Sequence, residues 1–331
     1  MRLTLAWGAI PARSAVIESG TAGDAVAGEK DMRTTMTTLA WCACIAVCLP
    51  GGLAVANDTS VGDDNGTLVF QRMPDVRMAS ERLVIARDRV EVDYVFLNTG
   101  KREVTTTVAF PMPPVYLGHS DHNAIADFAL TVDGKPQTTE RSVVVRLDGR
   151  DISKTFAATG WSVDDVADFV GSGELPKGHK PLPKDWFDQN EEPRFTVSEY
   201  FTWRQTFRPG VPVAIRHVYT PSVTTGVPQP ADFLLGEYRT ATCIDPAMAR
   251  AIRKRETDVG VSWGNLRYIL KTANNWQGPI GDFHLTIRKP SADAAMSLCF
   301  DGDLRKTSPT TFEFAQKDFV PARDIDILFV E

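Results

Sequence analysis

The chain has 331 residues, with 36 Lys and Arg against 42 Asp and Glu, for a formal net charge of −6 at pH 7. That mild acidity lacks the basic excess that nonspecific nucleic-acid binding needs, and sets that class aside. The length is enough for two modest domains with their own cores.

Residues 1–31 hold no apolar segment of useful length. Met32 to Ala56 then reads MRTTMTTLAWCACIAVCLPGGLAVA. Arg33 supplies a positive start, and Leu39 to Leu49 is an apolar run too short to span a bilayer. Ala54-Val55-Ala56 has the small-x-small form of a cleavage site. The segment 32–56 therefore reads as a secretory signal peptide cleaved after Ala56. Residues 1–31 read as an over-called start, with Met32 or Met36 as the true one. The residues before Cys42, Cys44 and Cys48 fit a lipid-attachment motif poorly, and no second long apolar run follows. A periplasmic or secreted protein with no stable membrane anchor after cleavage is expected.

Asn57 to Gly66 is polar and reads as a flexible leader. Val90, Val92, Tyr94 and Phe96 alternate with charged residues, the period of a half-buried strand. Val104, Thr106, Val108 and Phe110 continue it until Pro111, Pro113 and Pro114 stop the ladder. Asp133-Gly134 is a strong hairpin turn between two further strands. Residues 150–195 break the pattern. Ser162 and Asp165 form a capping box, and Val163, Val166, Ala167 and Val170 share a helical face. A Gly/Pro/Lys-rich run follows, so this region reads as a helical insertion on a mobile base.

Strands resume at Phe195 to Phe207 and Val213 to Tyr219. Residues 221–232 read as a linker. Asp245 caps a short helix with Pro246 at its first position. Later apolar alternation, such as Phe283, Leu285 and Ile287, is again β. The expected fold is mainly β: two antiparallel sandwich-like domains, 67–220 and 233–331, with a small helical insertion in the first and one short helix in the second.

Several groups of residues invite chemistry. Cys243 and Cys299 are what remains of five cysteines after the signal, an even pair in an oxidising compartment. A disulfide between them is expected, worth roughly 4 kcal/mol on the chain-entropy estimate; two buried thiols are the alternative. His119-Ser120-Asp121-His122 has zinc-ligand types, but in a loop with no third His or Cys nearby in sequence. No Gly-x-Ser-x-Gly elbow and no phosphate-cradling glycine loop occur. His217 and His284 lie in strand patterns; Asp324 and Asp326 alternate and are expected to face water. No catalytic, metal or cofactor residue is assigned. Trp161, Trp186 and Phe187 are candidate interaction anchors on the insertion, unless they pack it onto the sandwich. Asn274, Asn275, Trp276, Gly278 and Pro279 form a polar knot between two apolar runs, read as a structural turn in which Trp276 covers a sandwich edge and Gly281 permits a close approach.

The stretches RMASERLVIARDRVEVDYVFLNTGKREVTTTVAFPMP, FALTVDGKP, YILKTANNWQGPIGDF and KTSPTTFEF resemble, in order, the exported bacterial family called domain of unknown function 4424. The resemblance implies paired cysteines at Cys243 and Cys299 and brings no activity with it. VDYVFLNTGKREVTTTVAFPMP, VDGKP and FRPGVPVAIRHVYT are more weakly similar to the vault protein inter-alpha-trypsin domain, a β-sandwich interaction module. The expected function is a non-catalytic binding module of the envelope, with an unknown protein or envelope partner. The alternatives are an extracytoplasmic hydrolase with a site at the domain interface and a carrier of an apolar ligand.

Overall fold

The computed structural model describes residues 59–64, 67–116 and 126–331. The segment 32–56, expected to be a signal peptide, and the cluster His119 to His122 lie outside the described residues. The first strands are β1 (Thr59–Asp64), β2 (Thr67–Gln71), β3 (Val76–Ala86), β4 (Val90–Asn98), β5 (Val104–Pro111) and β6 (Val115–Tyr116). Next come β7 (Ala126–Val132), β8 (Lys135–Gln137), β9 (Glu140–Leu147) and β10 (Arg150–Asp151). Helices α1 (Ser153–Ala158) and α2 (Val163–Ser172) precede β11 (Phe195–Phe207), β12 (Pro212–Thr220) and β13 (Val223–Thr224). Helices α3 (Ala231–Glu237) and α4 (Pro246–Lys254) follow. The chain ends with β14 (Trp263–Tyr268), β15 (Ile280–Arg288), β16 (Ala295–Leu298), β17 (Arg305–Lys306), β18 (Thr311–Phe319) and β19 (Ile325–Val330).

The fold is mainly β and sandwich-like. One sheet runs β10-β9-β11-β5-β1-β2, with β6 also on β11; a second runs β17-β18-β15-β3-β4-β12-β7-β8; a third runs β13-β14-β19-β16. Local chemistry fixes the short-range parts. Asp133 and Gly134 both take positive φ, 49° and 75°, as the two-residue turn between β7 and β8 requires. Ser162 accepts from the Asp165 N–H at 3.0 Å while the Asp165 carboxylate accepts from the Ser162 N–H at 2.8 Å, so α2 starts with a complete capping box. Asp245 caps α4 from one side only, its side chain accepting from the Met248 N–H at 2.6 Å.

Three long-range features depart from the sequence expectation. The residues 221–232 do not interrupt the sheets: β15, β17 and β18, from beyond them, lie in one sheet with β3, β4 and β12. The joining pair, β15 on β3, is parallel, with Phe283 opposite Glu81 and Ile287 opposite Ile85. One apolar cluster draws Val92 and Phe96, Phe110 and Phe207, and Ile327 and Phe329 together from all three sheets. Period-two alternation says which side chains a strand buries, not which strand lies beside it. Second, residues 59–64 of the expected leader form a strand, with Thr59 paired to Ala109 and Val61 to Phe70. Third, the second half holds two helices, because α3 begins directly after Pro230, whose fixed φ suits a helix start. Among the described residues no helix is long and apolar enough to cross a membrane.

Candidate functional site

The knot, whose Asn274 and Asn275 end a 3₁₀ turn over Lys271–Asn275, laces distant segments. Trp276 is buried, its ring 4.6 Å from Phe96 and 5.9 Å from Phe207. The Asn274 amide donates to the Pro321 carbonyl at 2.9 Å, and the Asn275 amide donates to Thr59 Oγ1 at 3.0 Å. The Gln277 N–H donates to the Val76 carbonyl at 2.8 Å. Gly278 takes φ +68°, and Pro279 then leads into β15. At Gly281 a Cβ would stand 2.6 Å from the Ala79 carbonyl oxygen, so only glycine lets β15 meet β3 there.

Trp161 and Trp186 are buried and Phe187 is half-buried against them, which corrects the exposed-anchor reading and leaves the packing alternative. Trp161 and Trp186 join Phe156, Val166, Leu182 and the β11 residue Phe195 in a small core, with Phe187 packed against it. The Trp161 indole donates to the Lys180 carbonyl at 2.9 Å. Short helices cannot bury their apolar faces alone, so they close onto the sheet surface that β9 and β11 offer.

Cys243 and Cys299 are joined by a disulfide that ties the segment between α3 and α4 to the end of β16. Ser297 reinforces the join by donating to the Thr242 carbonyl at 2.7 Å.

Ionisable groups reach the interior in several places, Glu199 on β11, paired with Arg141, being one of them. His217 is fully buried on β12, edge-on to Phe110 at 4.7 Å and to Trp203 at 5.5 Å. Beside it the Tyr94 and Tyr268 hydroxyls meet at 3.1 Å, and Tyr268 donates on to the buried Glu81 at 3.5 Å. Burial alone raises the Tyr219 phenol well above its ordinary value. These groups sit in the shared core rather than in a cleft.

Asp324 and Asp326 are half-buried rather than facing water. Asp324 Oδ1 accepts from the Leu270 and Lys271 N–H groups at 2.9 and 3.0 Å. Burial nevertheless pushes its carboxyl above the ordinary range, outweighing those bonds, and Asp326 moves the same way. A carboxyl with a raised folded-state value takes up a proton on folding. Stability from these groups therefore increases as pH falls toward about 4, the ordinary Asp range. Asp324→Asn keeps an acceptor and is expected to hold stability at neutral pH. Asp324→Ala strands two N–H groups and should cost about 1–3 kcal/mol. Urea unfolding of both variants at neutral pH checks this, and equal midpoints would refute the cap.

An open groove of about 1060 Å³ runs along β15 and β18. His284, Thr286 and Glu313 come from the strands, and Asp301, Asp303 and Arg305 from the segment after Phe300. His284 and Asp282 share one face of β15, with His284 Nε2 3.1 Å from Asp282 Oδ1. Lys317 holds the other oxygen at 2.8 Å, and it is this lysine first that keeps Asp282 below the usual carboxylate range. Arg323 clamps both oxygens of Asp301, at 2.8 and 3.0 Å. Gly302 lies against the Phe314 ring, where a Cβ would come within 2.2 Å of a ring carbon. The groove can thus present both signs of charge on a fixed frame. Among its described lining residues there is neither serine nor cysteine, and among the described residues no three His, Cys, Asp or Glu converge to hold a metal. Nothing in the sequence spacing of His284, Asp301 and Asp303 signals that the β15–β18 pairing brings them to one groove.

The model of the family described as Domain of unknown function (DUF4424) matches residues 56–328. The chain belongs to that family. The groove, the knot and the disulfide all fall within the DUF4424 match. No curated protein matches the sequence at a significant level. Among solved structures, the DUF4424 chain is similar to a Legionella pneumophila protein provisionally described as a nutrient binding protein. That likeness has 16% identity and a TM-score of 0.43, over 83% of this chain and 70% of the other. It is also similar to an M1 zinc metallopeptidase from Deinococcus radiodurans, at 10% identity and a TM-score of 0.22, over 78% of this chain but only 43% of the enzyme.

Proposed function

We propose that this DUF4424 protein is an exported, non-catalytic binding module of the bacterial envelope, and that the β15–β18 groove is its recognition surface. Export rests on the segment 32–56 and on a disulfide chemistry suited to an oxidising compartment. The observation that carries the binding reading is the groove itself, whose walls carry Asp301, held by Arg323, together with Asp303, Glu313 and the opposite charge of Arg305. Such walls recognise a polar partner by charge complementarity. A carrier of apolar ligands needs a closed apolar cavity, whereas this groove is open and charged.

The test is retention of an envelope component by the immobilised protein. Arg305→Glu and Glu313→Lys are expected to lower it about tenfold, the effect of losing one good charged contact, with the unfolding midpoint unchanged. Retention that ignores both changes would refute the groove.

The His284–Asp282 pair favours one second reading, a hydrolase in which His284 is the general base. That reading requires the protein to turn over an ester, peptide or glycoside substrate and His284→Gln to abolish it. Turnover lost in that variant would displace the binding reading.

A further inference from the structure

We propose that a second, smaller pocket, at the knot, binds the charged groups of a free α-amino acid. The pocket has a volume of about 330 Å³ and is lined by Arg77, Thr99, Gln277, Gly278, Pro279 and Asp318. Its residues belong to four separate parts of the chain, which the β15–β3 and β15–β18 pairings assemble.

Arg77 is the anchor. Its neighbours Val76 and Met78 are buried, so Arg77 points away from the core, just before the bulge between Met78 and Ser80. Its guanidinium is pinned under the chain at Gly281, where a Cβ would stand 2.6 Å from Nη2. Nε is sealed from solvent and meets no acceptor among the described residues. Arg77 as a whole is only half-buried and meets no carboxylate partner among the described residues, so its open side is free to take an anion. A planar carboxylate matches that fork.

Gln277 adds a second donor. Its Oε1 accepts from Thr99 Oγ1 at 2.6 Å, which leaves the Nε2 amide to donate into the pocket. Asp318 supplies the opposite charge. It is exposed and sits at φ +50°, a left-handed conformation that a non-glycine residue adopts at some cost and that recurs at ligand sites. A bare anion would meet Arg77 but be repelled by Asp318. A bare cation would meet the reverse. A ligand with a carboxylate and an ammonium on one carbon satisfies both walls, and the volume suits a small to medium amino acid.

The test is calorimetric titration of the full chain with L-alanine and L-glutamine, against acetate, methylammonium and inorganic phosphate as single-charge probes. At least one amino acid is expected to bind below about 1 mM, with the single-charge probes about tenfold weaker or silent. Arg77→Gln should weaken the amino acid about tenfold or more, and Arg77→Lys should recover only part of that, because an ammonium lacks the fork. Asp318→Asn, at an exposed position that leaves the core intact, should weaken the amino acid and raise the affinity for acetate. Phosphate or acetate binding as tightly as the amino acids would overturn the proposal. So would no amino acid binding up to about 10 mM, or Asp318→Asn leaving the preference unchanged.

Discussion

Replacing Cys243 and Cys299 together by serine is expected to cost about 4 kcal/mol, since the bridge closes a loop with a sequence separation of 56. The bridge removes conformations from the unfolded chain, so most of the loss should arise there. The folded form should keep its shape, because Leu234, Leu235 and Ile252 still pack α3 and α4 onto Trp263, Leu328 and Val330. The double variant should therefore unfold at lower urea concentration while its near-ultraviolet spectrum stays native. A midpoint equal to that of the oxidised wild type would show that the core alone fixes this region. Thiol labelling of the denatured, non-reduced protein gives the companion check: both cysteines should be protected.

The second large effect lies at Trp276. Truncation to alanine should cost about 3–5 kcal/mol, the usual range for a buried aromatic that leaves a cavity. The site cannot collapse easily, because Phe96 and Phe207 are held in different sheets. Trp276→Phe should recover part of the loss, through its remaining contact with Phe96. A loss below about 1 kcal/mol for the alanine variant would mean that the knot is a surface ornament rather than a fastening.

Much of the fold is legible in the sequence where its cause is local. The limits of β11, the Asp133-Gly134 turn, the capping box of α2 and the Asp245-Pro246 start of α4 all follow from residues within a few positions of each other. Trp276 as a cover and Gly281 as a close approach are legible for the same reason, since bulk and its absence announce themselves. What is not legible is who stands beside whom. Asp324 reads as solvent-facing until the Leu270 and Lys271 N–H groups are placed over it. Trp161 and Trp186 read as stranded aromatics until the insertion is laid on β9 and β11. The candidate sites suffer most: the groove needs β15 beside β18, and the small pocket needs Arg77 near Asp318. Charge and pattern mark these side chains as outward but carry no record of their distant partners.

The parallel pairing of β15 with β3 also sets an order of events. Phe283 must find Glu81, and β18 can join the sheet only through β15. Contacts so far apart in sequence carry a large loop-closure penalty before they return any stability, so folding should be slow for a chain of this size. Until β15 arrives, the β3–β4 hairpin has one raw edge of unpaired N–H and C=O groups, the template on which chains stick to one another. A chain made from its N-terminus therefore keeps that edge open through most of its synthesis, and is complete only when nearly its last strands have been delivered.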